Sequence, residues 1–203
     1  MKYRLMKTLI AATAFAAASL AQADAGTFGS FVSVDGSWYQ GNNPGTKQLA
    51  SLAGANFGSF AAGSGATLDN AEILTWKNSG GDVTGATLYW SVDGGAYQAV
   101  ALGFEQNNPV TDPAGNTYDT GGNQVWGGLS QAADFLQGLT VGSHSLNVYL
   151  TADTTSGVQD QGSAVQPFTA NFTVSAVPEP SSLALLAAGL GGVGLVVRRR
   201  RVH

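Results

Sequence analysis

The sequence predicts an all-β protein in which a single antiparallel β-sandwich domain over residues 26–176 is flanked by an N-terminal signal helix and a short C-terminal transmembrane helix. Three observations lead to this fold class. Apolar and polar residues alternate with a period of two in several segments, which is typical of strands with one buried face. Glycine-rich stretches separate these segments, and helical segments do not alternate with them. The roughly 150 residues between the two ends are enough chain for one domain with a buried core.

The individual strands follow from this alternation. In the three clearest segments every second residue is apolar: Leu88, Trp90 and Val92; Leu146, Val148 and Leu150; and Phe168, Ala170, Phe172 and Val174. Weaker strands are predicted at 28–34, 71–76 and 124–126. Residues 46–62 are ambiguous, because 48–53 fits a short helix while the neighbouring glycines and serines disfavour one.

A hairpin is predicted where the strand that ends at Val92 runs into Asp93-Gly94-Gly95. Glycine adopts positive φ without strain, so this tripeptide is a turn signal between two antiparallel strands. The second strand of the hairpin is predicted to run from Ala96 to Leu102.

The segment 138–148 resembles the turn and penultimate strand of bacterial immunoglobulin-like and fibronectin type III-like modules. Those modules often carry an aromatic residue where His144 stands, so the hydrogen-bonding corner of the fold is only loosely matched. The resemblance covers about a third of the domain. It implies a β-sandwich. A jelly roll of the carbohydrate-binding kind is the alternative architecture, and the strand pattern does not separate the two.

Residues 1–25 predict a secretory signal peptide. A basic start with Lys2, Arg4 and Lys7 precedes an apolar segment of suitable length, 9–21. Two overlapping small-x-small cleavage sites follow, formed by Ala21, Ala23 and Ala25. Cleavage would make either Asp24 or Gly26 the first residue of the mature protein, and the sequence alone does not choose between them.

Residues 177–203 divide into three parts. The first is a processing motif: Val177, Pro178, Glu179 and Pro180. Because residues before proline are driven to extended geometry and proline lacks an amide hydrogen, an exposed, extended peptide is predicted there. The apolar run 183–197 has 15 residues, about 22 Å as a helix against about 30 Å of hydrocarbon, which is short for a permanent anchor. The third part is a topology signal that favours the cytoplasmic side: Arg198, Arg199, Arg200 and Arg201.

These three parts, in this order, resemble the PEP-CTERM sorting signal of Gram-negative bacteria, the proposed substrate of the membrane protease-transpeptidase exosortase. The resemblance covers about an eighth of the chain. It implies an exosortase-type enzyme as partner and a precursor anchored transiently in the inner membrane. The mature form would lie at the cell surface or outside the cell. An ordinary C-terminal membrane anchor with proline in its linker is the alternative.

The charge of the chain is uneven. Of nine lysines and arginines, only Lys47 and Lys77 lie in the predicted domain, which holds eleven acidic residues, a balance of about −9. So acidic a surface disfavours nucleic acid and anionic lipid as partners. The chain has no cysteine, which excludes disulfides, thiol catalysis and cysteine metal sites.

The sequence predicts no enzymatic activity and no catalytic residue. His144 is the only histidine of the domain, and no Gly-x-Ser-x-Gly, His-Glu-x-x-His or phosphate-binding loop occurs. A lone histidine beside a strand is more often a hydrogen-bonded corner residue than a general base. Paired carboxylates can hydrolyse glycosides, but eleven scattered acids do not identify a pair.

Calcium is the only cofactor that the sequence suggests, and its candidate site is the loop 105–124. Asp112, Asn116 and Asp119 with loop carbonyls offer the hard oxygen ligands that calcium prefers. Their spacing is not that of an EF-hand, and the same residue types are common in turns. A solvated loop without metal is the alternative.

Aromatic residues next to loops are candidates for stacking on sugar rings: Trp38, Tyr39 and Trp126. Trp90, by contrast, sits in the clearest alternating strand and is predicted to lie in the core. Two functions from different classes remain. The first is an exported, non-enzymatic protein of the cell surface or the exopolysaccharide matrix, including biofilm, sorted through its tail. The second is an exported carbohydrate-binding module that uses its loop aromatics, either with calcium or without it.

Overall fold

A computed structural model of the chain describes residues 24–177. The predicted signal helix and transmembrane helix lie outside these residues. Between Asp24 and Val177 the fold is all-β, as predicted, and this part of the chain contains no helix long and apolar enough to cross a membrane.

The strands within the described residues are β1 (Ala25–Val34), β2 (Ser37–Asn42), β3 (Ala50–Ser51), β4 (Asn56–Ala61), β5 (Thr67–Lys77), β6 (Val83–Val92), β7 (Gln98–Asn107), β8 (Val110–Thr111), β9 (Thr117–Tyr118), β10 (Gln124–Gly127), β11 (Ala133–Asp134), β12 (Gly142–Thr154), β13 (Gly157–Gln161) and β14 (Phe168–Ser175). The strands predicted at 28–34, 71–76 and 124–126 are confirmed as β1, β5 and β10. The three clearest alternating segments are confirmed as β6, β12 and β14.

Twelve strands form one continuous sheet, whose main path runs β3-β2-β1-β5-β10-β7-β6-β12-β14-β4. Strand β11 pairs with β5, β13 pairs with β12, and β8 with β9 forms a separate two-stranded sheet. The expectation of a purely antiparallel sheet was wrong at two edges, because β2 with β3 and β14 with β4 pair in parallel. Strand β7 joins the two halves of the path, since it pairs with both β10 and β6.

The sheet curls around one main core. Strands from both halves of the path supply buried side chains to the same cluster, so the two halves face each other across it. The cluster includes Val32 of β1, Ile73 of β5, Leu88 of β6, Val148 of β12 and Phe172 of β14. The sheet is nevertheless continuous, so a sandwich of two separate sheets and an immunoglobulin-like topology stay predictions.

A second, smaller core lies on the other side of the sheet. It consists of Phe31, Leu74, Val110 and Val125, with Trp38 and Tyr118 packed against it. Because successive side chains of a strand point to opposite faces, Phe31 belongs to this outer cluster while the next residue, Val32, belongs to the main core. The hairpin of β8 and β9 supplies Val110 and Tyr118, so the long loop after β7 contributes part of this second core.

The predicted Asp93-Gly94-Gly95 hairpin is confirmed, with Trp90 opposite Gln98. Its second strand starts two residues later than predicted and extends to Asn107. The short helix considered over 48–53 was wrong, because that segment contains only the two-residue strand β3.

The sequence prediction missed the hairpin of β1 and β2. Its turn consists of Asp35 and Gly36, with φ of 47° and 75°. Positive φ at both central residues is what an Asp-Gly pair supplies in a tight hairpin. The Asp35 carboxylate also accepts a hydrogen bond from the Thr67 amide (2.8 Å), which ties the turn to the start of β5.

Candidate functional site

The chain leaves the sheet at the end of β14, a strand that is paired on both sides. Val174 lies opposite Gly142 of β12 and Phe60 of β4. The Ser175 carbonyl accepts a hydrogen bond from the Ala62 amide (2.8 Å), and the Ser175 hydroxyl donates to the Phe60 carbonyl (3.1 Å). The fold therefore holds the chain through Ser175.

Beyond Ser175 the chain is exposed. Val177 lies outside any strand and is 56% exposed. The remaining residues of the predicted processing motif, Pro178, Glu179 and Pro180, and the topology signal 198–201 lie outside the described residues. The junction thus places the predicted processing motif immediately after a strand that is fixed in the sheet.

The two ends of the described chain lie at opposite ends of β12. The Asp24 amide donates a hydrogen bond to the Ser156 hydroxyl (3.0 Å), in the turn that follows β12. Val174, by contrast, lies opposite Gly142, where β12 begins. A strand of this length spans roughly 40 Å, so the sorting tail leaves the domain far from its N-terminal end.

The three aromatic residues predicted to stack on sugars do not lie together. Trp38 packs against the outer cluster, whereas Tyr39 and Trp126 pack against the main core. The Tyr39 ring lies edge-on to Phe57, with centroids 5.1 Å apart, and Trp126 lies edge-on to Phe104 at 5.5 Å. All three predicted residues are half-buried, and sugar stacking by them stays a prediction.

The sequence prediction missed three tyrosines that cluster beside β6 and β12. Tyr89 and Tyr149 lie opposite each other, and their rings stack with centroids 4.6 Å apart and planes at 5°. Tyr97, just before β7, lies edge-on to Tyr149 at 5.0 Å. The signal for this cluster was present, since Tyr89 and Tyr149 occupy the polar positions of two alternating strands. Because the two stacked rings cover each other, they do not form a flat, side-by-side platform.

Two adjoining grooves, of about 510 and 380 Å³, share Trp90, Gln98 and Ala133. Trp90 was predicted to lie in the core; it packs against the main core but is half-buried and lines both grooves. Gln98, Gln131, Gln137 and the acidic Asp134 are among the lining residues. An aromatic residue beside glutamines and one aspartate is a polar lining that suits a ligand with many hydroxyl groups.

The predicted calcium residues Asp112 and Asn116 lie together, but they bind each other. The buried Asp112 carboxylate accepts hydrogen bonds from the Asn116 amide and side-chain nitrogen (both 2.8 Å) and from the Tyr118 hydroxyl (3.1 Å). Burial and the neighbouring Asp112 raise the pKa of Tyr118 to about 12. The Asn116 side-chain oxygen accepts from the Lys47 amide (2.8 Å).

Asp119, the third predicted calcium ligand, is exposed, and its backbone carbonyl accepts a hydrogen bond from the Asn108 side chain (2.8 Å). Within residues 24–177 no group of three or more acidic or histidine side chains is arranged to hold a metal ion. Calcium binding stays a prediction. The oxygens of Asp112 and Asn116 are already engaged in hydrogen bonds, so these residues do not fit a ready calcium site.

Comparison with known protein families decides the nature of the tail. The family model of the PEP-CTERM protein-sorting motif matches residues 176–201. The chain carries this sorting motif. The match begins directly after Ser175, at the point where the chain leaves the sheet. No curated protein and no solved structure matches the chain.

The PEP-CTERM motif supports exosortase-dependent sorting of an exported protein. It says nothing about what the β-rich domain binds, because it lies almost entirely beyond that domain. Two further arrangements in the domain carry chemistry of their own.

The first arrangement is a carboxylate pair. Glu72 and Glu105 flank Gly127, where an added Cβ would lie 2.9 Å from Glu72 Cγ and 2.8 Å from Glu105 Oε1. Burial, then Glu105 and Asp112, raise the pKa of Glu72 to about 7, and burial raises the pKa of Glu105. Glu72 can therefore exchange a proton near neutral pH. The grooves beside Trp90 are lined by other residues.

The second arrangement is the corner around His144. Its Nδ1 lies 2.7 Å from Asp93 Oδ2, and its Nε2 lies 2.8 Å from the Thr140 carbonyl. These two hydrogen bonds raise the pKa of His144. Burial acts to raise the pKa of Asp93, but hydrogen bonds from His144 and the Ser145 amide leave it lowered. Both ring nitrogens face acceptors, which is the pattern expected of a structural corner residue.

Proposed function

We propose that this chain is an exported, non-enzymatic protein of the cell surface or the exopolysaccharide matrix, processed and sorted through its tail by an exosortase-type enzyme. The observation that carries the proposal is the PEP-CTERM motif directly after a fixed terminal strand. The N-terminal segment would direct export as a signal peptide. The precursor would be anchored transiently in the inner membrane by 183–197, with the arginines on the cytoplasmic side.

The junction supports this order of events. Ser175 is hydrogen-bonded into the sheet, whereas Val177 is exposed, so the processing motif is the first part of the tail clear of the fold. Cleavage beyond Val177 would remove no residue of β14 and would leave the core intact. The enzyme can therefore act on a folded substrate.

The acidic charge of the domain is compatible with an extracellular matrix location, and it disfavours binding to nucleic acid or to an anionic membrane. Lys77 forms an ion pair with Asp82 (2.7 Å), and the Lys47 ammonium donates to the Gly115 carbonyl (2.6 Å). Both lysines of the domain are thus engaged, which leaves the acidic residues to dominate the surface field.

Intact-mass analysis of the protein from a host with an exosortase tests the proposal. The mature protein should lack the four arginines, and the double variant Pro178→Ala, Pro180→Ala should retain them and accumulate in the inner membrane. Pro167→Ala, a proline just before β14, is the matched control and should be processed normally. A mature protein that keeps its arginine tail would contradict the proposal.

A second candidate function, an exported carbohydrate-binding module, is favoured by the amide-lined grooves beside Trp90. A neutral β-glucan and dextran are suitable probes. Loss of two amide contacts in Gln98→Ala, Gln131→Ala should weaken binding roughly tenfold. Gln166→Ala, an exposed glutamine away from the grooves, should bind like the unaltered protein. Equal binding by the double variant would exclude these grooves as the site.

A further inference from the structure

The position of the mature N-terminus can be inferred from the fold, on the condition that the proposed export is correct. Two peptide bonds satisfy the small-x-small pattern: Ala23–Asp24, and Ala25–Gly26. Both bonds fit the cleavage pattern equally well. The structure distinguishes them, because Asp24 and Ala25 are already part of the domain.

Ala25 is the first residue of β1 and belongs to the main core. It lies opposite Lys77 in the sheet and is 0% exposed. The Ala25–Gly26 bond is therefore inside a paired strand. Once the domain folds, a protease cannot bring this bond into an active site without first pulling β1 away from β5.

Asp24 is held by its backbone on two sides. Its amide donates to the Ser156 hydroxyl (3.0 Å), and its carbonyl accepts from the Asn78 amide (2.7 Å). The turn after β5 fits closely around this residue, because a Cβ added at Gly81 would lie only 2.2 Å from the Asp24 carbonyl oxygen. The atoms nearest to a Cβ at position 81 all belong to Asp24, so this position requires glycine only if Asp24 is present.

We propose that signal peptidase cleaves the Ala23–Asp24 bond, so that Asp24 is the first residue of the mature protein and its new amino group remains on Ser156. Hydrolysis adds one water molecule across the amide bond: the hydroxyl goes to the Ala23 carbonyl carbon and a proton to the Asp24 nitrogen. Cleavage after Ala25 would instead remove a buried side chain and both hydrogen bonds of Asp24.

N-terminal sequencing of the exported product from a Gram-negative host tests this position directly. The sequence should begin Asp24-Ala25-Gly26. A product that begins at Gly26 would overturn the inference while leaving export intact. Protein that is found only in the cytoplasm and still begins at Met1 would instead contradict the proposed export, so the two failures are distinguishable.

A pair of variants sharpens the test without touching the folded domain. Ala21 is a small-residue position of the first site only, so Ala21→Gln should abolish most of the Asp24 product. Gln22→Asn changes the unrestricted middle position and should be processed like the unaltered chain. Any Gly26 product from Ala21→Gln should have a lower melting temperature than the Asp24 product. Equal melting temperatures would contradict the premise that Asp24 and Ala25 belong to the folded domain.

Discussion

Glu72 and Glu105 lie on either side of Gly127, and a side chain at Gly127 would collide with both. The glycine belongs to β10, the strand between β5 and β7, so two acidic residues from non-adjacent strands approach each other across it. Burial, together with their approach, raises the pKa of Glu72 to about 7.

Glu72→Gln should stabilise the domain at pH 8. The folded-state pKa of Glu72, about 7, lies above the ordinary value of 4.5, so the folded state binds the proton more tightly than the unfolded state. The stability from this group is fully present below pH 4.5 and is lost as pH rises through 7. The shift corresponds to about 3 kcal/mol at most.

Urea denaturation at pH 4.5 and pH 8 measures this difference. The unaltered protein should lose more stability between the two pH values than Glu72→Gln does. Asp160→Asn, which removes an exposed carboxylate elsewhere, is the control for net charge. If both variants show the same pH dependence, the titration of Glu72 does not govern it.

His144→Gln should remove a second pH-dependent contribution. Its pKa is raised by Asp93 and the Thr140 carbonyl, so its stabilisation is present below the ordinary pKa of 6.5 and is lost as pH rises through the folded-state value. Because this range overlaps that of Glu72, the comparison belongs in the Glu72→Gln background. The free energy of unfolding of Glu72→Gln should fall between pH 6 and pH 9. That of the double variant Glu72→Gln, His144→Gln should stay nearly constant over the same range. An NMR titration giving His144 a pKa below 6.5 would contradict the prediction.

Much of the fold was predictable because a strand that is buried on one face alternates apolar and polar residues along the sequence. Strand β14 alternates buried Ala170, Phe172 and Val174 with more exposed residues, and it was correctly predicted. Strand β1 is buried on both faces around the shift at Phe31, so the alternation that identifies a strand does not reveal its second buried face.

The site residues were less predictable, because pairing decides which of them meet. Glu72 and Glu105 come together only through β10, and no local pattern specifies that strand order. The loop 105–124 was interpreted as a candidate calcium site from its oxygen-rich composition. Asp112 and Asn116 instead hydrogen-bond to each other within this loop, which also packs against the outer cluster. Composition alone does not distinguish such internal hydrogen bonding from metal binding.

Asp112→Ala should destabilise the domain by about 1–3 kcal/mol, because it leaves the buried Asn116 groups and the Tyr118 hydroxyl without their acceptor. Asp119→Ala, in the same loop, removes an exposed side chain and should change stability little. Chemical denaturation compares the two. Equal stability of the two variants would show that the hydrogen bonds of Asp112 do not hold the loop.

Calcium should leave the melting temperature of the unaltered protein unchanged relative to a chelator, since the Asp112 oxygens already accept three hydrogen bonds. A rise in melting temperature that Asp112→Ala abolishes would instead support the calcium hypothesis.

Gly81→Ala should destabilise the mature protein, because the added Cβ would lie 2.2 Å from the Asp24 carbonyl oxygen and push the start of β1 out of place. Crowding of this kind costs about 1–3 kcal/mol. Gly80→Ala is a close control, since its Cβ would lie at an ordinary 3.5 Å from the Asp24 carboxylate. Thermal denaturation of the two variants, each with Asp24 present, measures the difference. If Gly81→Ala is as stable as Gly80→Ala, Asp24 does not occupy this position in the mature protein.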